Sequence, residues 1–200
     1  MSKTYLYLVI LFFLCSCTAS TPTKTNNICD IFKEKDDWYE DAKESYKKWG
    51  VPIHITMAIM HQESHFVADA KPPRTWFLGI IPWSRPSSAY GYAQALDGTW
   101  QKYLNSTDSW SGDRDDFADA SDFIGWYCAI SHKKLGISKW DTKNLYLAYH
   151  EGYNGFSRRS YLKKPWLKKI AAKVNRKSKQ YQRQLLSCKE ELESTGWFFW

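Results

Sequence analysis

Residues 57–66 read Met-Ala-Ile-Met-His-Gln-Glu-Ser-His-Phe, and no other stretch constrains the architecture of this chain as strongly. It is a short apolar run that ends in a carboxylate. In a helix, Ile59 and Met60 lie four and three residues before Glu63 and share its face. Burial there raises a carboxyl pKa from about 4.3 to roughly 6 or above, which makes Glu63 a candidate proton donor. The alternative is an ordinary exposed glutamate at a helix end.

The remaining sequence predicts one mainly α domain. A length of 200 residues suits a single domain, and an apolar content of 44% is enough for a core. Apolar residues recur at helical spacing in several segments, and strand-like alternation is scarce. Residues 68–90 are rich in proline and predict a long irregular loop.

The amino-terminal residues predict an export signal. Lys3 precedes an apolar run, Tyr5 to Leu14, that is too short to span a bilayer. The following Leu-Cys-Ser-Cys resembles a bacterial lipobox, with cleavage before a lipidated Cys17. An ordinary secretory signal is the alternative. By resemblance to Gram-negative lipoproteins, Thr18 favours the periplasmic face of the outer membrane.

These features divide the chain into four parts. Residues 1–16 are the expected signal peptide, and residues 17–35 are the lipidated cysteine with a flexible tether. Residues 36–194 are the domain, and residues 195–200 are an aromatic tail.

The cysteines and the charge fit an exported protein. Cys128 lies in an apolar helical stretch typical of a buried thiol, so Cys29 and Cys188 are the favoured disulfide pair. The net charge of +7 falls to +6 once Lys3 is removed. Excess positive charge suits polyanionic cell-wall polymers or anionic lipids. No nucleic-acid-binding motif is present, and no nucleic-acid partner is expected.

Three short motifs follow one another along the chain. Glu63-Ser64 comes first, Gly91-Tyr92-Ala93-Gln94-Ala95 second and Ala148-Tyr149-His150-Glu151-Gly152 third. Over roughly residues 45–175 they resemble the SLT-type lytic transglycosylases, which have a lysozyme-like α fold. This chain has Tyr92-Ala93 where the family has Leu-Met, and His150 where it has Asn.

The resemblance implies cleavage of the peptidoglycan bond between N-acetylmuramic acid and N-acetylglucosamine. Glu63 matches the single residue that acts first as general acid and then as general base, leaving a 1,6-anhydromuramoyl end. No cofactor is implied. The pair His61 and His65 suggests zinc, but the glutamate is misplaced for that motif and no metal is expected.

The resemblance also assigns substrate contacts. Ser64 matches a hydroxyl that binds substrate, with a helix-capping role as the alternative, and Gln94 matches an amide that lines the cleft. Tyr149 matches an aromatic wall, or packs in the core. Tyr92 is placed to stack on a sugar, and His150 and Tyr161 are further candidates. The family often has a tyrosine near the acid after the third segment, and both Tyr161 and Trp166 are candidates for that position.

Two other functions remain open from the sequence. A lysozyme-like muramidase would need a second carboxylate, for which Asp69, Asp97 and Glu151 are candidates. A non-catalytic peptidoglycan-binding lipoprotein would keep the cleft without the chemistry. An envelope-assembly protein is a possible partner in either case.

Overall fold

The computed structural model describes residues 20–74, 76–77, 81–82, 85–109 and 111–195. The expected signal peptide, Cys17 and residues 196–200 of the aromatic tail lie outside these residues. Seven α-helices lie within them: α1 Ile28–Glu34, α2 Trp38–Trp49, α3 Ile53–Ser64, α4 Asp97–Thr107, α5 Phe117–Leu135, α6 Thr142–Ser157 and α7 Pro165–Thr195. The prediction of a mainly α chain is confirmed.

Helix α3 is the centre of the domain. Every residue from Ile53 to His61 is buried, so this helix is buried around its whole circumference rather than along one face. A helix of this kind must be surrounded by others. Helices α2, α5 and α7 supply that surround, and α3 packs most extensively on α7.

Helix α7 is the longest helix of the described residues and is rich in lysine and arginine. Its buried residues recur every three or four positions, at Leu167, Ala171, Val174, Ser178 and Tyr181. This spacing gives one apolar stripe against α3 and α6, with the lysines on the opposite face. Within the residues described above, no helix has both the length and the apolar character needed to cross a membrane.

The amino-terminal part of the domain differs from the prediction. Residues 28–34 were expected to belong to a flexible tether, but they form α1, and Ile28, Ile31 and Phe32 are buried in the core. Asn27 caps this helix by accepting a hydrogen bond from the Cys29 N–H at 3.0 Å. The boundary at residue 36 is therefore wrong, because tertiary contacts order a helix of only seven residues.

Cys29 in α1 forms a disulfide with Cys188 in α7, the pair favoured from the sequence. Gln184 adds to this contact by accepting a hydrogen bond from the Ile28 N–H at 3.2 Å. Cys128 is a free, buried thiol. The first and last helices are thus joined both covalently and by packing.

The segment expected to be an irregular loop contains a short antiparallel pair. Strand β1, Trp76–Phe77, pairs with β2, Ile81–Pro82, and Trp76 lies opposite Pro82. The hairpin lies between α3 and the Gly91–Ala95 segment along the chain.

Candidate active site

Glu63 lies in the last turn of α3, where the chain reverses. His65 ends the helix in a left-handed conformation with φ of 52°, and Phe66 follows with φ of 64°. The Ser64 hydroxyl holds this turn by accepting a hydrogen bond from the Phe66 N–H at 3.2 Å. The central helix therefore carries a carboxyl group to its end without exposing it fully.

Burial dominates the electrostatics of Glu63. The side chain is half-buried at the end of an apolar helix, and desolvation raises its pKa to about 7. The carboxyl group is thus poised to hold a proton near neutral pH and to release it there, as a general acid requires.

Tyr146, in α6, is a partner of Glu63 that the sequence analysis missed. Its hydroxyl lies within hydrogen-bonding reach of the carboxyl group, and this interaction opposes burial by lowering the pKa of Glu63. Tyr146 precedes Tyr149 by three residues and so shares its helix face. That spacing is the sequence signal that points to it.

Tyr149, in the third of the three motif segments, connects the second segment with the acid. Its hydroxyl donates a hydrogen bond of 2.6 Å to the Ala93 carbonyl oxygen. Burial first, and then the charge of Glu63, raise the pKa of Tyr149 well above its ordinary value. Tyr149 therefore contacts the Gly91–Ala95 segment and lies close enough to Glu63 for the carboxylate charge to affect its pKa.

Gln94 fastens the Gly91–Ala95 segment rather than only lining a cleft. Its side-chain amide donates hydrogen bonds of 2.9 Å to the carbonyl oxygens of Ala70 and Gly91. Arg114 holds the same segment from the other side, donating to the Ala95 carbonyl oxygen at 2.9 Å. The amide nitrogen assigned to sugar contacts is thus committed to the backbone.

Gly91 is required by this geometry. Its φ is +78°, and a Cβ atom there would lie 1.9 Å from the Arg114 carbonyl oxygen. We expect Gly91→Ala to destabilise the domain by about 3 kcal/mol or more, since both strain and overlap with the backbone act together. Thermal or urea unfolding measures this change.

Gly98 offers the matched control for that variant. It lies in α4, and a Cβ atom there meets nothing within 4 Å. Gly98→Ala should leave the unfolding free energy unchanged or raise it. Equal effects of the two substitutions would contradict the assignment of a special role to Gly91.

Two predicted substrate contacts are wrong. Tyr92 was expected to stack on a sugar, but it is 1% exposed, with the rings of Trp38 and Phe117 at 5.6 Å and 6.0 Å. Ser64 is 6% exposed, and its hydroxyl also donates to the Met60 carbonyl oxygen at 3.3 Å. Tyr92 packs in the aromatic core, and the Ser64 hydroxyl bonds to the backbone at the helix end. Neither side chain is exposed for contact with a ligand.

His150 and Tyr161 are placed away from the described contacts of Glu63. The exposed His150 ring packs on Trp166 at 5.2 Å, and its Nδ1 lies 3.1 Å from Glu151. Tyr161 packs against the Phe156 ring at 5.3 Å. Within the described part of the chain, neither His150 nor Tyr161 interacts with Glu63 through a hydrogen bond, ring contact or charge.

The candidate second carboxylates have other partners or surroundings. Burial alone would raise the pKa of Glu151, but hydrogen bonds from Lys164, Ser160 and His150 outweigh it and lower the pKa to about 2. Asp97 forms an ion pair with Arg114 at 2.8 Å. Asp69 is exposed to solvent. Among the residues whose placement is described, no three His, Cys, Asp or Glu side chains cluster as a metal site.

Comparison with known families agrees with this geometry. The family described as the transglycosylase SLT domain matches residues 5–188. No curated protein and no solved structure matches the chain. The family match includes Glu63, Tyr146, Tyr149 and the Gly91–Ala95 segment, which the fold brings together from three distant parts of the sequence.

Proposed function

Because this chain belongs to the transglycosylase SLT domain family, a family of enzymes that act on glycosidic bonds, we propose that it is a peptidoglycan lytic transglycosylase. One observation carries the proposal. Glu63, with a pKa raised to about 7, lies at the end of a buried helix beside Tyr146 and Tyr149, and Tyr149 fastens the second family segment. The alternative of a non-catalytic binder has no use for a desolvated acid.

The reaction needs one residue in two protonation states. Protonated Glu63 donates its proton to the glycosidic oxygen between N-acetylmuramic acid and N-acetylglucosamine, and the bond from C1 to that oxygen breaks. Ionised Glu63 then takes the proton from the muramoyl C6 hydroxyl, whose oxygen bonds to C1. The product is a 1,6-anhydro ring, and Glu63 regains its proton.

The arrangement of the remaining carboxylates supports this reaction over hydrolysis. A hydrolase of the usual kind places a second carboxylate across the bond to act as nucleophile or base. The Glu151 side chain is 3% exposed, and Lys164 binds its Oε1 at 2.7 Å while Ser160 binds its Oε2. In the transglycosylase reaction the substrate's own hydroxyl replaces the activated water, so proximity suffices.

The tyrosine beside the acid tunes the pH range of the reaction. A hydrogen bond from Tyr146 stabilises the ionised carboxylate, so Tyr146→Phe should raise the pKa of Glu63 further. We expect the alkaline limb of the pH–rate profile to move upward by about one pH unit. The control is Tyr153→Phe, which removes a hydroxyl that has no hydrogen-bond partner within the described chain. A downward shift for Tyr146→Phe would contradict this role.

We also propose that the chain is lipidated at Cys17 and acts from the periplasmic face of the outer membrane. The basic, apolar and small-residue pattern of residues 3–17 supports export and anchoring. The disulfide between Cys29 and Cys188 is consistent with an oxidising compartment. An envelope-assembly partner would then meet the enzyme at the cell wall.

Digestion of purified peptidoglycan tests the proposed function. Mass spectrometry of the soluble fragments should show muramoyl products lacking one water, as expected for a 1,6-anhydro end. Reducing muramic acid ends would instead identify a muramidase. Binding to the polymer with no soluble product would identify the non-catalytic alternative.

A further inference from the structure

A groove of about 320 Å³ lies between α2, the start of α3 and the last turns of α7. The side chains that give it an apolar lining are Tyr39, Tyr46, Pro52, Ile53, Trp140, Leu185 and Leu186. Three of them are open to solvent, because Leu186 is 75% exposed, Trp140 61% and Tyr46 42%. Large apolar side chains that are gathered on a surface in this way mark a site of interaction.

The charges at this groove favour an uncharged occupant. Three of the four charged side chains that line it have a partner of opposite sign, since Lys43 lies 2.9 Å from Glu40 and Lys189 lies 3.7 Å from Glu193. Glu193 also accepts a hydrogen bond of 3.4 Å from the Tyr39 hydroxyl. The groove therefore offers an apolar wall and little unpaired charge to a ligand.

Helix α7 leads directly into a segment with this chemistry. The helix ends at Thr195, and the sequence continues with Gly196 and then with four aromatic residues, 197–200, none of which is charged. A glycine directly after a helix favours a left-handed turn that reverses the chain. Gly50 and Gly136 make this turn at the ends of α2 and α5. The sequence therefore predicts the same reversal after α7.

A reversal at Gly196 would direct the aromatic residues toward the groove. In this type of helix end, the residue after the glycine packs against the residue four positions before the glycine, which here is Leu192. The Leu192 side chain is 8% exposed, and Glu193 beside it lines the groove. The chain after Gly196 would thus start from the end of the groove where α7 finishes.

The length of the aromatic segment 197–200 matches the length of the groove. The distance from Glu193 to Leu185 along α7 is about 12 Å at about 1.5 Å per residue. Four residues in an extended conformation span about 13 Å. The segment is therefore long enough to pass Leu186 and to cover most of the apolar lining that α7 contributes.

We propose that the aromatic segment 197–200, which lies outside the described residues, docks in this groove and ties the end of α7 to α2 and to the start of α3. Ile53 and Glu63 are separated by about 15 Å along the axis of α3, so the docked segment leaves the candidate acid uncovered. The inference goes beyond the proposed function, and neither depends on the other.

Leu186→Ala tests the docking, because a side chain that is 75% exposed contributes little to stability unless another segment covers it. The substitution is made in the full chain and in a full chain with residues 197–200 replaced by serine, and urea unfolding is measured. In the otherwise wild-type chain we expect the unfolding equilibrium constant to rise about tenfold, since covered apolar surface is lost. In the serine variant the same substitution should change it by about twofold or less.

Leu162→Ala is the matched control. Leu162 is 54% exposed and does not line the groove. Its replacement should therefore have the same effect whether or not the aromatic residues are present. Equal effects of Leu186→Ala in the two backgrounds would overturn the proposal.

Two further measurements distinguish other places for the aromatic segment. If it docks in the groove of a second copy, the wild type sediments as a dimer and the serine variant as a monomer. If it inserts into a bilayer, the wild type binds phosphatidylcholine vesicles more tightly than the serine variant does. Either result overturns docking within one chain, whereas equal mass and equal vesicle binding support it.

Discussion

Glu63→Gln is expected to lower glycan cleavage by about 10²- to 10⁴-fold, the range that a positioned general acid contributes. Glutamine keeps the shape and polarity of the side chain but has no proton to donate in this range of pH. Quantifying anhydromuramoyl products from digested peptidoglycan measures the loss. The control is Glu190→Gln, the same change at an exposed glutamate of α7, which should leave cleavage intact.

The same variant has a predicted stability signature. The folded pKa of Glu63, about 7, lies above its value in the unfolded chain, so the folded state binds the proton more tightly. The unfolding free energy of the wild type should therefore fall as pH rises from about 4.5 through about 7, by up to about 3 kcal/mol. Glu63→Gln should lack this decline and be the more stable protein at alkaline pH.

Urea unfolding on both sides of neutrality distinguishes the two proteins. Parallel declines in wild type and variant would show that Glu63 titrates like an exposed carboxyl group, and unchanged cleavage would remove it as the acid. If Glu63→Gln loses cleavage and also shows the expected stability profile, the proton held by the Glu63 carboxyl group is the one used in the reaction.

Removing the disulfide is expected to cost up to about 5 kcal/mol of unfolding free energy, because it closes a loop with a sequence separation of 159. In the chain-entropy model, the cost arises from the greater freedom of the unfolded chain. Replacing Cys29 and Cys188 together by Ala removes the bond without leaving a reactive thiol at either position. Thermal and urea unfolding in the absence of reductant measure the change.

Reductant provides the control for this second prediction. It should lower the stability of the wild type toward that of the double variant and leave the double variant unaffected, since Cys128 is present and unpaired in both proteins. An equal effect of reductant on the two proteins would mean that the bond between Cys29 and Cys188 does not stabilise the fold.

The sequence predicted those elements whose pattern is long or strongly apolar. Helix α3 contains the apolar run from Met57 to Met60, and α7 has a periodic stripe over many turns, so both could be predicted without knowledge of their neighbours. Helix α1 was missed because seven residues are too few for a stable isolated helix, and its order depends on α7 and the disulfide.

A property of the site could be predicted where it depends on residues close by in the sequence. The apolar residues before Glu63 in its own helix indicated a raised pKa, and the structure gives that direction. Tyr92 could not be placed, because its burial depends on Trp38 and Phe117, which lie far away in the sequence. The contact between Tyr146 and Glu63 could not be predicted, because it depends on how α3 and α6 are rotated relative to each other. The spacing of three residues between Tyr146 and Tyr149 was the one sequence signal.

The disulfide also determines how the fold bears force. Tension on residues 20–28 first loads their hydrogen bonds, among them those between Thr23 and Glu34 and between Tyr181 and the Thr25 carbonyl oxygen. Beyond them it passes through the covalent bond from Cys29 to Cys188 in α7, so the packing of the rest of α1 carries little of the load. Because α7 packs along the central helix, a load on the amino end is passed to the core of the domain. A chain held by that end and working on a stressed polymer could be dragged without its first helix peeling away.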